Sequence, residues 1–190
     1  MWDEHRRPSD YKTDPIVRIH PRIIVGAGNQ LTVENMEKYD IQYVVNCAFD
    51  EFSPSWFRII YPYNYCCIEA YDNENSDITD WYKLFETYMN TYMQEHNGTI
   101  FVHCQLGMNR SAFLSLMYVC LKFDYDLEST IKTMVINRPC VFMNIEYRKQ
   151  VVSSPTESFL NLYMNKSAFW IKVETDVNGR KKNVKVYSQR

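Results

Sequence analysis

His103-Cys104-Gln105-Leu106-Gly107-Met108-Asn109-Arg110-Ser111 stands between a short apolar run at residues 99–102 and a longer one at residues 112–121. The first run reads as a buried strand and the second, apolar nearly all round, as the central buried helix of a domain. A loop at such a junction traps anions. Its free backbone N–H groups and those of the helix's first turn point inward, and the helix dipole adds roughly half a positive charge. Gly107 lets the loop close, because glycine alone tolerates positive φ without penalty. Arg110 can grip two phosphate oxygens through its planar fork. The same field favours the ionised, nucleophilic form of Cys104. With six cysteines and five glycines in 190 residues, a chance match to H-C-x-x-G-x-x-R is expected roughly 2 times in 10,000.

The flanking sequence alternates strand-like and helix-like stretches, which predicts an α/β fold. The expected architecture is a central, mostly parallel sheet flanked by helices, with the anion loop between a central strand and a buried helix. Runs at residues 16–19 and 23–25 predict strands, and Thr32 caps a short helix ending near Tyr39. Residues 41–47 and 65–70 predict two more strands, the second ending in the polar loop Tyr71-Asp72-Asn73-Glu74-Asn75. Ile78, Trp81, Tyr82, Phe85, Tyr88, Met89, Tyr92 and Met93 recur at helical spacing, with Ser76 or Asp77 as cap and His96-Asn97-Gly98 as the closing turn. Asp126 caps a helix over 127–137 that stops before Arg138-Pro139, and 145–152 forms a further turn or two. Pro155 opens another helix through Tyr163, and a hairpin around Asn178-Gly179 joins Ile171 and Val173 to Val184 and Val186. Its basic second arm reads as a solvated edge, with partner binding as the alternative.

One domain of about 150 residues plus terminal segments accounts for the length. The expected organisation is an exposed N-terminal arm over 1–15, a catalytic domain over 16–152, and a helix and hairpin extension over 153–190. Apolar residues at 46% supply a core, and a net charge of −2 from 21 basic and 23 acidic residues disfavours non-specific nucleic-acid binding. The longest apolar run falls far short of the ~20 residues that span a bilayer, so no membrane association is expected. Residues 1–14 carry no apolar leader, and no cysteine pair shows C-x-x-C spacing. Reduced, buried thiols in a cytoplasmic or nuclear protein are the expectation. No residue pattern selects an oligomeric state.

H-C-x-x-G-x-x-R-S resembles the phosphate-binding signature of the cysteine-dependent protein tyrosine phosphatases, most closely their compact dual-specificity branch. The resemblance spans residues 16–152 through Ile24-Val25-Gly26, Val44-Val45-Asn46, the Asp72 loop, the signature, and Arg138-Pro139 followed by Asn144. It implies hydrolysis of a phosphoprotein through a cysteinyl-phosphate intermediate, with no metal and no cofactor. Cys104 would be the nucleophile. Arg110 and the N–H groups of Gln105, Leu106, Gly107, Met108, Asn109 and Arg110 would bind the phosphoryl oxygens. Asp72, about thirty residues upstream as in the family, is the candidate general acid, then base; Asp77, better explained as a helix cap, and Asp80 compete. Ser111 would hydrogen-bond the Cys104 sulfur or cap the helix, His103 would hold the loop's backbone, and Asn144 would brace it. Cys47 resembles the thiol that some members use to form a reversible disulfide with the nucleophile, although a plain core cysteine is the preferred reading.

No long recognition segment of the kind found in tyrosine-only phosphatases precedes residue 16, which favours a shallow site that accepts phosphotyrosine and phosphoserine or phosphothreonine. Two alternatives stand beside that reading. RNA 5′-triphosphatases of the same superfamily also carry Asn-Arg, generally followed by Thr-Gly where this chain has Ser111-Ala112. Inactive phosphoprotein-binding modules share the fold but typically lose the cysteine or arginine, both present here.

Overall fold

The computed structural model describes residues 1–153 together with two strand segments, 172–175 and 181–184. Five strands, β1 (Val17–His20), β2 (Ile23–Ala27), β3 (Ile41–Asn46), β4 (Tyr65–Cys67) and β5 (Thr99–Cys104), form one mixed sheet in the order β1-β2-β5-β3-β4. Only the β1–β2 pair is antiparallel; β2–β5, β5–β3 and β3–β4 run parallel.

The central strands are apolar without interruption because both faces are covered. Ile23, Val25, Val45, Ile100 and Val102 face one cluster, built with helices α3 (Tyr82–Gln94), α4 (Arg110–Phe123), α5 (Leu127–Asn137) and α6 (Ile145–Ser153). Their neighbours Ile24, Val44 and Phe101 face the other, with Phe57 of α2 (Ser55–Ile60) and residues of α1 (Val33–Tyr39). This period-two alternation puts helices on both sides. Every residue of α4 from Arg110 to Cys120 is buried, the reason for its apolar circumference.

Local capping follows the sequence. Thr32 Oγ1 accepts from Asn35 N at 3.1 Å, Asp77 Oδ1 from Thr79 N at 2.9 Å, and Asp126 Oδ1 from Ser129 N at 2.8 Å. Ser76 instead donates to Asn73 Oδ1. The first residues behind Asp77, Ile78–Trp81, form a 3₁₀ turn before α3 begins.

One expectation is corrected and one element was not expected. The strand predicted over 65–70 ends at Cys67, because Glu69 adopts a left-handed φ of 57° that breaks the pleat. Helix α2 has no counterpart among the sequence expectations; it is six residues long with one buried side chain, Phe57, too little for a periodic signal. The segment over 1–15 is exposed at most positions and is held to the domain at a few points. Trp2 packs edge-on against Phe142 at 5.2 Å between ring centroids. Asp3 pairs with Arg148, Arg6 donates to the Pro139 and Val141 carbonyls, and Asp14 is buried.

At the C-terminus β6 (Lys172–Thr175) pairs antiparallel with β7 (Lys181–Val184), Lys172 opposite Val184. The expected helix over 155–163 and the Asn178-Gly179 turn lie outside the described residues. Among the described residues no helix is long and apolar enough to cross a membrane.

Candidate active site

Parallel pairing brings the carboxyl ends of β2, β5 and β3 to one edge: Ala27 is opposite Cys104, and Asn46 opposite His103. That edge is where open α/β sheets place their ligands. Cys104 ends β5 and is 1% exposed, at the floor of the loop that leads into α4.

Gly107 holds φ at +64°, and a β-carbon there would meet the Gly26 and Ala27 backbone. Three carbonyls of the loop, those of Leu106, Gly107 and Met108, are tied off by other segments. Arg138 donates from Nε to Gly107 O and from Nη2 to Leu106 O, each at 3.0 Å, and Phe142 N donates to Met108 O at 2.7 Å. The N–H groups of Leu106, Gly107, Met108, Asn109 and Arg110 have no acceptor among the described residues. A ring of donors with its acceptors turned away is an anion cradle.

Arg110 leans over this cradle. Its Nη1 donates to the Ala70 carbonyl at 3.1 Å, and its buried Nε has no hydrogen-bond partner among the described residues. The turn at Glu69 places that carbonyl: it follows Ala70 N donating to Cys47 O at 3.2 Å. Ser111 Oγ donates to Cys104 Sγ at 3.3 Å. Asp72 Oδ2 lies 3.8 Å from Arg110 Nε. The carboxylate accepts from Asn109 Nδ2 at 3.3 and 3.1 Å and from Asn144 Nδ2 at 3.0 Å. Asn144 Oδ1 meanwhile caps α6 by accepting from Glu146 N and Tyr147 N. The Tyr147 hydroxyl donates to the Tyr71 carbonyl, a further anchor of the Asp72 loop.

His103 is fully buried, its Nε2 3.1 Å from Ser53 Oγ and its Nδ1 3.2 Å from the Cys104 carbonyl. Burial, and secondarily the Arg110 charge, push its pKa down to about 4 against the pull of that carbonyl. Such a low pKa favours the neutral ring. Cys47 is also fully buried, beside Cys104; burial first, then the neighbouring Cys104, push its thiol well up. All six cysteines are free thiols.

The structure thus brings together Cys104, Ser111, Arg110, Asp72, Asn109 and Asn144, whereas Asp77 spends its carboxylate on Thr79 and Asp80 has no hydrogen bond to that group among the described residues. Sequence reasoning missed Arg138. Its guanidinium, fully buried, also donates to Asp14 O and Pro15 O at 2.8 Å and to Gln30 Oε1 at 3.2 Å. The available signal was an arginine at a helix end followed by the apolar Cys140-Val141-Phe142, but its partners lie 31 and 124 residues away.

Comparison with known proteins gives the same direction. Residues 23–156 match the family described as dual specificity phosphatase, catalytic domain. A probable dual specificity protein phosphatase of Dictyostelium discoideum is 28% identical over 139 residues, covering 72% of this chain and 33% of that protein. A Slingshot-homolog protein phosphatase of Xenopus laevis is 26% identical over 137 residues, covering 70% and 19%. The chain therefore spans a third or less of the length of these curated relatives. A mouse putative dual specificity phosphatase crystallised with zinc tungstate superposes with a TM-score of 0.65 at 17% identity, over 85% of this chain and 94% of that one. Because the family model matches residues 23–156, more than two thirds of the chain, the chain belongs to the dual-specificity phosphatase family.

Proposed function

We propose that this domain hydrolyses phosphotyrosine, and phosphoserine or phosphothreonine, in proteins through a cysteinyl-phosphate intermediate. The observation that carries the reading is the cradle: five loop N–H groups without acceptors among the described residues, an Arg110 Nε with no hydrogen-bond partner, and Cys104 with its sulfur hydrogen-bonded by Ser111. The tetrahedral tungstate in the mouse relative's crystals suits such a cradle.

In the first step Cys104 Sγ attacks phosphorus, the bond to the ester oxygen breaks, and Asp72 gives its proton to that leaving oxygen. Arg110 and the loop amides carry the charge on the three equatorial oxygens throughout. In the second step the Asp72 carboxylate takes a proton from water, whose oxygen attacks phosphorus. The S–P bond breaks, and Ser111 Oγ–H stabilises the departing thiolate. Tyr71, 55% exposed and set edge-on to Phe49 at 5.4 Å, offers an aromatic wall beside Asp72 for an incoming ring. Beside its place in the core, Cys47 would be the partner if a protective disulfide forms. Peroxide would convert Cys104 to a sulfenic acid, and attack by the Cys47 thiol would release water; a Cys47–Cys104 peptide in non-reducing mass spectrometry tests this.

Hydrolysis of an activated aryl phosphate by the wild type and by Cys104→Ser tests the central reading. Loss of turnover in the variant supports it; equal background rates in both would leave a binding module. Phosphate release from triphosphate-ended RNA exceeding that from a phosphotyrosine peptide would move the assignment to RNA.

A further inference from the structure

Asn109 occupies the N-cap of α4, with φ −118° and ψ −79°, and its side chain makes no cap bond. Asparagine at that position ordinarily accepts from an N–H of the first turn, and helices lose stability when that bond is forgone. Here the side chain is used at both ends for something else. Nδ2 donates to both oxygens of Asp72, at 3.3 and 3.1 Å, while Oδ1 accepts from Asn144 N at 2.8 Å. Only the main chain of Asn109 serves the helix, its carbonyl accepting from Phe113 N at 2.8 Å.

We propose that Asn109 is the positioning residue that docks the acid loop onto the phosphate loop, fixing the Asp72 carboxylate over the anion cradle. The proposal rests on Asp72 being the general acid. Residues 71–75 lie in an exposed loop, and the Asp72 carboxylate is held by its hydrogen bonds to Asn109 and Asn144. Asn144 reaches only Oδ1 of Asp72, whereas Asn109 reaches Oδ2 as well, the oxygen 3.8 Å from Arg110 Nε. A carboxylate released from Asn109 could close that gap and take the donor that a phosphoryl oxygen needs, because a guanidinium is the stronger partner. The diverted side chain therefore does two things. It leaves the first-turn N–H groups free for the substrate, and it keeps the acid from collapsing onto the arginine. Because Asn109 belongs to the same loop as the amides that bind phosphate, the acid's position is referenced to the phosphorus itself.

The test compares an ester that needs its leaving group protonated, phenyl phosphate, with one that does not, 6,8-difluoro-4-methylumbelliferyl phosphate. For Asn109→Ala the ratio of kcat/KM, phenyl over umbelliferyl, is expected to fall about tenfold, and for Asn109→Asp, which loses the donor and opposes a like charge to Asp72, at least as far. Combined with Asp72→Asn, the Asn109→Ala change should lower that ratio no further than Asp72→Asn alone. An unchanged ratio in Asn109→Ala, or a full additive loss in the double variant, overturns the proposal. If Asp72→Asn itself leaves the ratio unchanged, the general-acid reading has failed instead, and the proposal with it.

Discussion

The site that a β-carbon would occupy on Gly107 lies 2.3 Å from the carbonyl oxygen of Gly26, so the phosphate loop is pressed against the end of β2 with no room for a side chain. Positive φ at the same residue adds its own cost of roughly 1–2 kcal/mol for any other amino acid. Gly107→Ala should therefore open the loop rather than unfold the domain. A drop of about 100-fold or more in aryl phosphate turnover with a modest fall in Tm is expected. Wild-type turnover in this variant would show that the loop does not need this approach.

Ser111 should matter most when sulfur leaves. Hydrogen bonds to charged groups contribute about 1.5–3 kcal/mol, so Ser111→Ala should slow hydrolysis of the cysteinyl phosphate by about 10- to 100-fold. Rapid-mixing experiments with an activated aryl phosphate should then show a burst of one equivalent followed by a slow steady state. Equal slowing of burst and steady state would assign the hydroxyl to the first step.

Arg138 holds two phosphate-loop carbonyls and two N-terminal carbonyls with one buried fork. Lysine keeps the charge but cannot reproduce that geometry. Arg138→Lys is expected to destabilise the domain by roughly 2–5 kcal/mol and to weaken competitive inhibition by vanadate about tenfold. Unchanged inhibition, with only Tm affected, would confine Arg138 to the fold.

His103 gives the fold a pH dependence with a definite sign. Unfolded, the ring titrates near 6.5; buried, its pKa is pushed down to about 4. Between these values the unfolded chain takes up a proton that the native ring refuses, so stability is full above pH 6.5 and falls as pH drops toward 4. The urea midpoint should decline between pH 7 and pH 5, and His103→Gln should lose most of that decline. An identical slope in the variant would place the titration elsewhere.

Much of the molecule was legible because its signals are local. The strand, loop and helix around Cys104 declare themselves through an apolar run, a glycine and a second apolar run. Thr32, Asp77 and Asp126 cap helices with donors no more than three residues away. Where a local conformation broke the pattern, as at Glu69, the strand prediction overran by three residues, since nothing in the residue type announces a left-handed φ.

Residue chemistry and spacing along the chain were enough to mark a candidate nucleophile, an arginine and a candidate oxyanion loop, because strand, turn and helix compress them into nine consecutive positions. Folding alone decided the rest. Asp72 and Asn109 stand 37 residues apart, and Arg138 meets carbonyls up to 124 residues away. Such pairs are chosen by which strand ends share a sheet edge, and a buried guanidinium or a diverted N-cap amide takes whatever acceptors that packing leaves within reach.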